Sequence, residues 1–175
     1  MKEQINSGFC FRHEVRESPG KGLGVFALEA IPRGEIVWRF IPGLFQVYDE
    51  SAFRSLIERM TDEEAVYVFT HSFGFKDLPE CVIRVRDDGA LINHSADANL
   101  ETCFEIPMQM KPDVSSPGYL REVGQALCED RFALISSRRI AAGEEFTSNY
   151  SADLCEPPFF VRLYKEYGVV EDYLE

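Results

Sequence analysis

Glycine and proline punctuate the first quarter of this chain so densely that no long element fits there. From residue 18 the sequence runs SPGKGLG, VFALEAI, Pro32-Arg33-Gly34, EIVWRFI and Pro42-Gly43. Short apolar runs closed off by such turns predict short strands. Strands are therefore expected over about 9–16, 25–31 and 35–41, arranged in small sheets rather than one broad one.

The middle of the chain changes period. In DESAFRSLIERM (49–60), Phe53, Leu56, Ile57 and Met60 recur at helical spacing, and a second helix is predicted over 63–73. Thr61 and Glu64 have the spacing of a capping box at its start. CVIRVR (81–86) and LETCFEI (100–106) return to strand character. Residues 107–122 look like loop, and 124–140 like a hairpin turning at Glu129-Asp130. Pro157-Pro158 opens a last helix, FFVRLYKEY, which Gly168 closes. The expected class is mostly β with short helices, as one domain over 1–175 with no repeat or linker, since 175 residues suit a single core.

Composition narrows the function. Thirty Asp and Glu against eighteen Lys and Arg give a net charge of −12. That surface repels phosphate backbones, which argues against direct nucleic-acid binding; it suits a basic peptide, and a plainly solvated acidic surface accounts for the charge as well. The N-terminus lacks a signal-peptide core and no apolar run approaches a membrane span, so an intracellular protein without membrane contact is expected. Asn93-His94-Ser95 and Asn149-Tyr150-Ser151 fit the glycosylation pattern, but that pattern needs export. Cys10, Cys81, Cys103, Cys128 and Cys155 are odd in number and widely spaced, without a Cys-x-x-Cys pair. No metal site is expected from them, and they are read as buried reduced thiols.

Three stretches can carry chemistry. Gly22-Leu23-Gly24 lies in a glycine turn; an ordinary tight turn explains the pair, and so does a site where missing side chains let the backbone approach a ligand. The segment DDGALINHSADANL (87–100) concentrates small hydrogen-bonding side chains around Asn93 and His94. A turn would explain that composition, and so would a polar binding site. His94 lacks a partner nucleophile or nearby metal ligands, so catalysis by His94 is not expected. The third stretch, GEEFTSNY (143–150), leads into Tyr150. Adjacent Glu144 and Glu145 point to opposite faces of a strand, which argues against a shared acid–base pair and for a solvated turn.

In this order, GKGLGVFA, GEIV, INHSADAN and GEEFTSNY resemble the SET domain of protein lysine methyltransferases, over roughly residues 8–152. The resemblance implies a β-clip of small sheets whose C-terminal segment is threaded through a preceding loop. It makes 49–75 a helical insert shaping the substrate groove, and 153–175 a short helical tail without the zinc-binding cysteines of many members. It implies methyl transfer from S-adenosylmethionine to the side-chain amine of a lysine in a basic protein or peptide. Gly22, Leu23 and Gly24 would meet the cofactor through the backbone, Asn93 would hold its amino-acid moiety, and His94 would contact the adenine through its main chain. Tyr150 would be the catalytic residue at the transfer channel, with Phe40, Phe159 and Phe160 as candidate channel walls.

Several positions depart from the family pattern. Ser148 stands where many members have another tyrosine, Phe40 offers a ring without a hydroxyl, and Ala96 and Ala98 replace the usual Cys and Pro. Two alternatives therefore stand beside the enzyme: a non-catalytic SET module that binds cofactor or basic peptide, and a β-clip interaction domain without cofactor. The aromatic residues of the last helix are equally well read as core.

Overall fold

A computed structural model of the chain describes residues 7–76, 78–102, 112–129 and 132–168. Strands β1 (His13–Ser18) and β2 (Gly22–Ala27) form an antiparallel hairpin in which Ser18 pairs with Gly22 and His13 with Ala27. Its turn puts Pro19 and then Gly20, with φ +77°, between Ser18 and Lys21, and the Lys21 N–H donates to the Ser18 carbonyl at 3.0 Å. Pro first and a positive-φ Gly second is what a type II turn requires.

A three-stranded antiparallel sheet has the order β4 (Phe45–Tyr48), β6 (Leu78–Val85), β5 (Ser72–Phe75). The remaining strands form a five-stranded sheet of order β3 (Ile36–Trp38), β9 (Leu134–Ser136), β8 (Leu100–Thr102), β10 (Thr147–Ser148), β7 (Asn93–His94). β10 is parallel to both of its neighbours: Thr147 pairs with Asn93, and Ser148 with His94 and Leu100. The last strand is thus inserted between two strands that only residues 95–99 connect. No sheet closes on itself among the described residues, and small sheets with short helices are the architecture the punctuation predicted.

Helix α1 (Glu50–Ile57) is capped by Asp49, whose side chain accepts from the Ala52 N–H at 2.8 Å. The predicted capping box holds for α2 (Asp62–Thr70), with both reciprocal Thr61–Glu64 bonds formed. Helix α5 (Pro158–Glu166) begins on proline, whose missing N–H costs nothing at a first turn. It lies against α1, where Arg54 grips Glu166 through two bonds of 2.8 and 3.3 Å and Arg162 reaches Glu50 at 2.8 Å. Beneath these pairs, Phe53, Phe69 and Phe160 form a buried triangle with ring centroids 5.2–5.5 Å apart.

Four expectations are corrected. The span read as a loop and then a hairpin holds helix α3 (Tyr119–Leu127) ahead of β9, because Tyr119, Val123 and Leu127 form a buried face at spacing four. The predicted second helix stops at Thr70, and its last residues form β5, paired with β6. β1 extends to Ser18 and β2 begins at Gly22, so the hairpin absorbs residues read as turn. Of the four described cysteines only Cys81 is buried; Cys128 is partly so, Cys10 and Cys155 are exposed, and Cys103 lies outside the described residues. All four described cysteines are free thiols.

Because Phe160 is fully buried at the centre of its aromatic cluster, Phe160→Ala should cost about 3–5 kcal/mol of stability. Urea unfolding followed by circular dichroism checks this; a loss below about 1 kcal/mol would mean that α5 is a loosely docked appendage.

Candidate functional site

β10's parallel pairing with β7 draws the predicted residues together. Asn93 Nδ2 donates to the Leu23 carbonyl at 3.0 Å and to Glu145 Oε1 at 2.7 Å, linking the glycine hairpin, β7 and the approach to β10. His94 Nδ1 accepts the backbone N–H of Tyr150 at 3.1 Å, and the two rings lie 5.4 Å apart. The Tyr150 hydroxyl donates to the Ile92 carbonyl. Lys21, at the hairpin tip, donates to the His94 carbonyl at 2.8 Å. Three segments distant in sequence thus share one network.

Tyr150 opens the short helix α4 (Tyr150–Asp153), capped by Asn149. Although 40% of the residue is exposed, its hydroxyl end is enclosed, and desolvation pushes the phenol up to about 12. It is therefore a neutral donor throughout the physiological range.

The two glycines do different things. A Cβ at Gly22, where φ is +79°, would meet no atom within 4 Å, so the chain is open on that side. A Cβ at Gly24 would collide with Glu145 Oε1 and lie 3.0 Å from Asn93 Nδ2. Any larger residue at 24 would displace the two side chains that meet there. Beside the hairpin lies an open depression of about 690 Å³ lined by Glu17, Ser18, Pro19, Gly20, Gly22 and Leu23. Leu23 is half exposed on this face.

Three contributors escaped the sequence reading. Glu145 accepts from Asn93 through one oxygen and from the Ser18 hydroxyl, at 2.9 Å, through the other. Asn99, 1% exposed, donates to the Glu145 carbonyl at 2.7 Å and accepts the Thr147 N–H at 3.0 Å. Glu144 turns the other way, to Arg138 at 2.6 Å, Asn99 and the Ala141 N–H. Burial alone would raise its carboxyl, but these partners hold it below the ordinary range. The alternation of faces from 144 to 145 was legible; that Glu145 faces Asn93 was not, because it depends on long-range register.

The candidate channel residues sit in two aromatic cores. Phe40 packs edge-on against Trp38, Phe45 and Phe75, with centroids at 4.7, 5.1 and 6.3 Å. Phe159 and Phe160 belong to the α1–α2–α5 cluster. A second depression, lined by Pro42, Phe45, Arg121, Gly124, Gln125 and Cys128, contains none of the predicted residues. Among the described residues no helix is long and apolar enough to cross a membrane, and no group of three or more His, Cys, Asp or Glu is placed to hold a metal.

Comparison with known proteins agrees with this arrangement. The chain matches the SET domain family over residues 22–151. Its fold is similar to the methyltransferase domain of human histone-lysine N-methyltransferase SETMAR, with a TM-score of 0.50 and 22% identity. That match covers 82% of this chain and 45% of the other, so the chain spans less than half the length of that structure. No curated protein sequence matches. With Gly22, Asn93, His94 and Tyr150 all inside the matched span, and Asn93, His94 and Tyr150 gathered by the β7–β10 pairing, the chain belongs to the SET domain family.

Proposed function

We propose that this chain is a methyltransferase that uses S-adenosylmethionine to methylate the side-chain amine of a protein lysine. The observation that carries the proposal is the meeting of Asn93, His94 and Tyr150 with the glycine hairpin at hydrogen-bond distance.

The donor set fits such a cofactor. Both hydrogen bonds of the Asn93 amide leave from Nδ2, which turns Oδ1 away as an acceptor without a partner among the described residues. An acceptor so fixed suits the ammonium of an amino-acid moiety. The depression is lined by Gly22 and by Leu23, whose carbonyl Asn93 bonds, and the exposed Leu23 gives it an apolar wall. We assign Gly22, Leu23, Gly24, Asn93 and His94 to holding the cofactor.

Bound there, S-adenosylmethionine supplies a methyl group already activated by its sulfonium, so the protein's part is orientation and electrostatics. Tyr150, held by Ile92 and His94, keeps a neutral hydroxyl, pushed up to about 12 by burial, whose oxygen can accept from an amine while its proton goes to the Ile92 carbonyl. Such a hydroxyl can orient an amine that has lost its proton without competing for that proton. The lysine must shed its proton from a value near 10.4, and a low-dielectric channel beside a cation favours the neutral form. No residue of this chain is assigned as a dedicated base. Phe40, Phe159 and Phe160, packed in the two aromatic cores, are assigned to backing the lysine channel from within those cores and not to touching the lysine. The net charge of −12 supports a basic protein or peptide as the substrate.

Titration calorimetry with S-adenosylmethionine tests the cofactor assignment. Asn93→Ala should stay folded and lose roughly 1.5–3 kcal/mol of binding. Wild-type protein that binds no cofactor while folded would refute it. Tyr150→Phe should lower the methyl-transfer rate about 10²–10³-fold with little change in cofactor affinity. Undiminished turnover in that variant would make Tyr150 a packing residue. A wild-type protein that binds cofactor but leaves lysine peptides unmodified would point to the non-catalytic module.

A further inference from the structure

We infer that Glu145 is a positioning residue: its carboxylate fixes the rotamer and amide orientation of Asn93, so that the Asn93 oxygen and not its nitrogen faces a bound ligand. The inference rests on the cofactor reading above. An asparagine amide can turn its two ends over at little cost unless its neighbours distinguish them. Here both neighbours of Nδ2 are acceptors: Glu145 Oε1 at 2.7 Å and the Leu23 carbonyl at 3.0 Å. Flipping the amide would set its oxygen against two oxygens, so the flipped state is excluded as long as the carboxylate is present.

The carboxylate is itself held. The Ser18 hydroxyl donates to its second oxygen at 2.9 Å, from the last residue of β1. Phe26 bridges to the Glu145 backbone, the Phe146 N–H donates to the Val25 carbonyl at 2.8 Å, and the Ala27 N–H donates to the Glu144 carbonyl at 2.9 Å. The backbone of 144–146 is thereby bonded along β2. Gly24 completes the arrangement, because the space a Cβ would take is filled by Glu145 Oε1 and Asn93 Nδ2. The glycine assigned to the ligand thus also admits the carboxylate.

Glu145→Ala should weaken S-adenosylmethionine binding about 10–100-fold, the usual worth of one hydrogen bond to a charged group. Glu145→Gln should recover most of this, because its carbonyl can accept from Asn93 while its amide donates to Ser18. The decisive measurement is a double-mutant cycle on cofactor affinity. If Glu145 acts through Asn93, adding Glu145→Ala to Asn93→Ala should change affinity by less than about threefold. A ligand-free readout is the side-chain NH₂ pair of Asn93 in a nitrogen–proton NMR spectrum. Its two signals should be well separated in wild type and in Glu145→Gln, and the proton bonded to Glu145 should move toward its free-amide position in Glu145→Ala, where the Leu23 carbonyl alone still accepts, with the backbone spectrum otherwise retained. Additive losses in the cycle, or an unchanged Asn93 amide and wild-type affinity in Glu145→Ala, would overturn the inference while leaving the cofactor reading intact. Should Glu145→Ala not fold, Ser18→Ala carries the same cycle, and a loss additive with Asn93→Ala would likewise overturn it. Wild-type protein that binds no cofactor would overturn both.

Discussion

The structure turns on the insertion of β10 between β7 and β8. Those two strands are joined by only five residues, and the inserted strand is parallel to both, so they cannot pair with each other. Something other than a ladder must fix the connecting segment, and Asn99 does so. Its side-chain oxygen accepts the Thr147 N–H, its nitrogen donates to the Glu145 carbonyl, and Thr147 Oγ1 accepts the Asn99 N–H at 3.4 Å. A buried amide with every bond made is stable, and the same group with one partner removed is costly, so the register has little freedom to slip. That register alone sets Thr147 beside Asn93 and brings Tyr150, three residues on, against His94.

From this follows the division of labour between two adjacent carboxylates. Strand geometry sends consecutive side chains to opposite faces. Glu144 closes the turn at 141–144 and pairs with Arg138 on the outside, while Glu145 faces the hairpin, where Ser18 and Asn93 meet it. Neither works as an acid–base partner of the other. The first holds the path of the chain into β10 and the second holds the side chain next to the candidate ligand. The sequence Gly-Glu-Glu is thus compact in residues and separated in space.

What could be read in advance depended on how local the cause was. The capping box at Thr61 and Glu64 and the proline start of α5 are set within one turn, and both were legible. The helix at 119–127 was not. Its apolar residues sit beside Gly118 and Pro117, which suggested loop, while Ala126, Leu127, Phe132 and Leu134 suggested the two arms of a hairpin. β5 was hidden for the opposite reason: Phe73 and Phe75 continue the apolar character of α2, and only pairing with β6 decides their conformation. At the site, Asn93, His94, Tyr150 and the glycines stood out because they form a recognisable order along the chain. Ser18, Glu145 and Asn99 carry no such mark, since their roles arise from contacts 45 to 127 residues away.

The entry to the site is held as firmly as its exit, by different chemistry. Asp87 gathers the Gly8 N–H, the Gly89 N–H at 3.0 Å and Trp38 Nε1 at 3.2 Å around one carboxylate. Gly8 and Gly89 are the residues that permit this. A Cβ on either would collide with Trp38 Nε1, so the indole fits between two bare backbones. The single turn that follows, Asp88–Leu91, leads directly to Ile92, whose carbonyl receives the Tyr150 hydroxyl. The segment from Ile92 to Asn99 is therefore a short span anchored at both ends, by Asp87 before it and Asn99 after it. Between the anchors, its carbonyls at 92 and 94 face Tyr150 and Lys21. A site built chiefly from backbone and amide groups needs this kind of support, because such groups have no charge with which to impose their own geometry and point only where the chain beneath them is fixed.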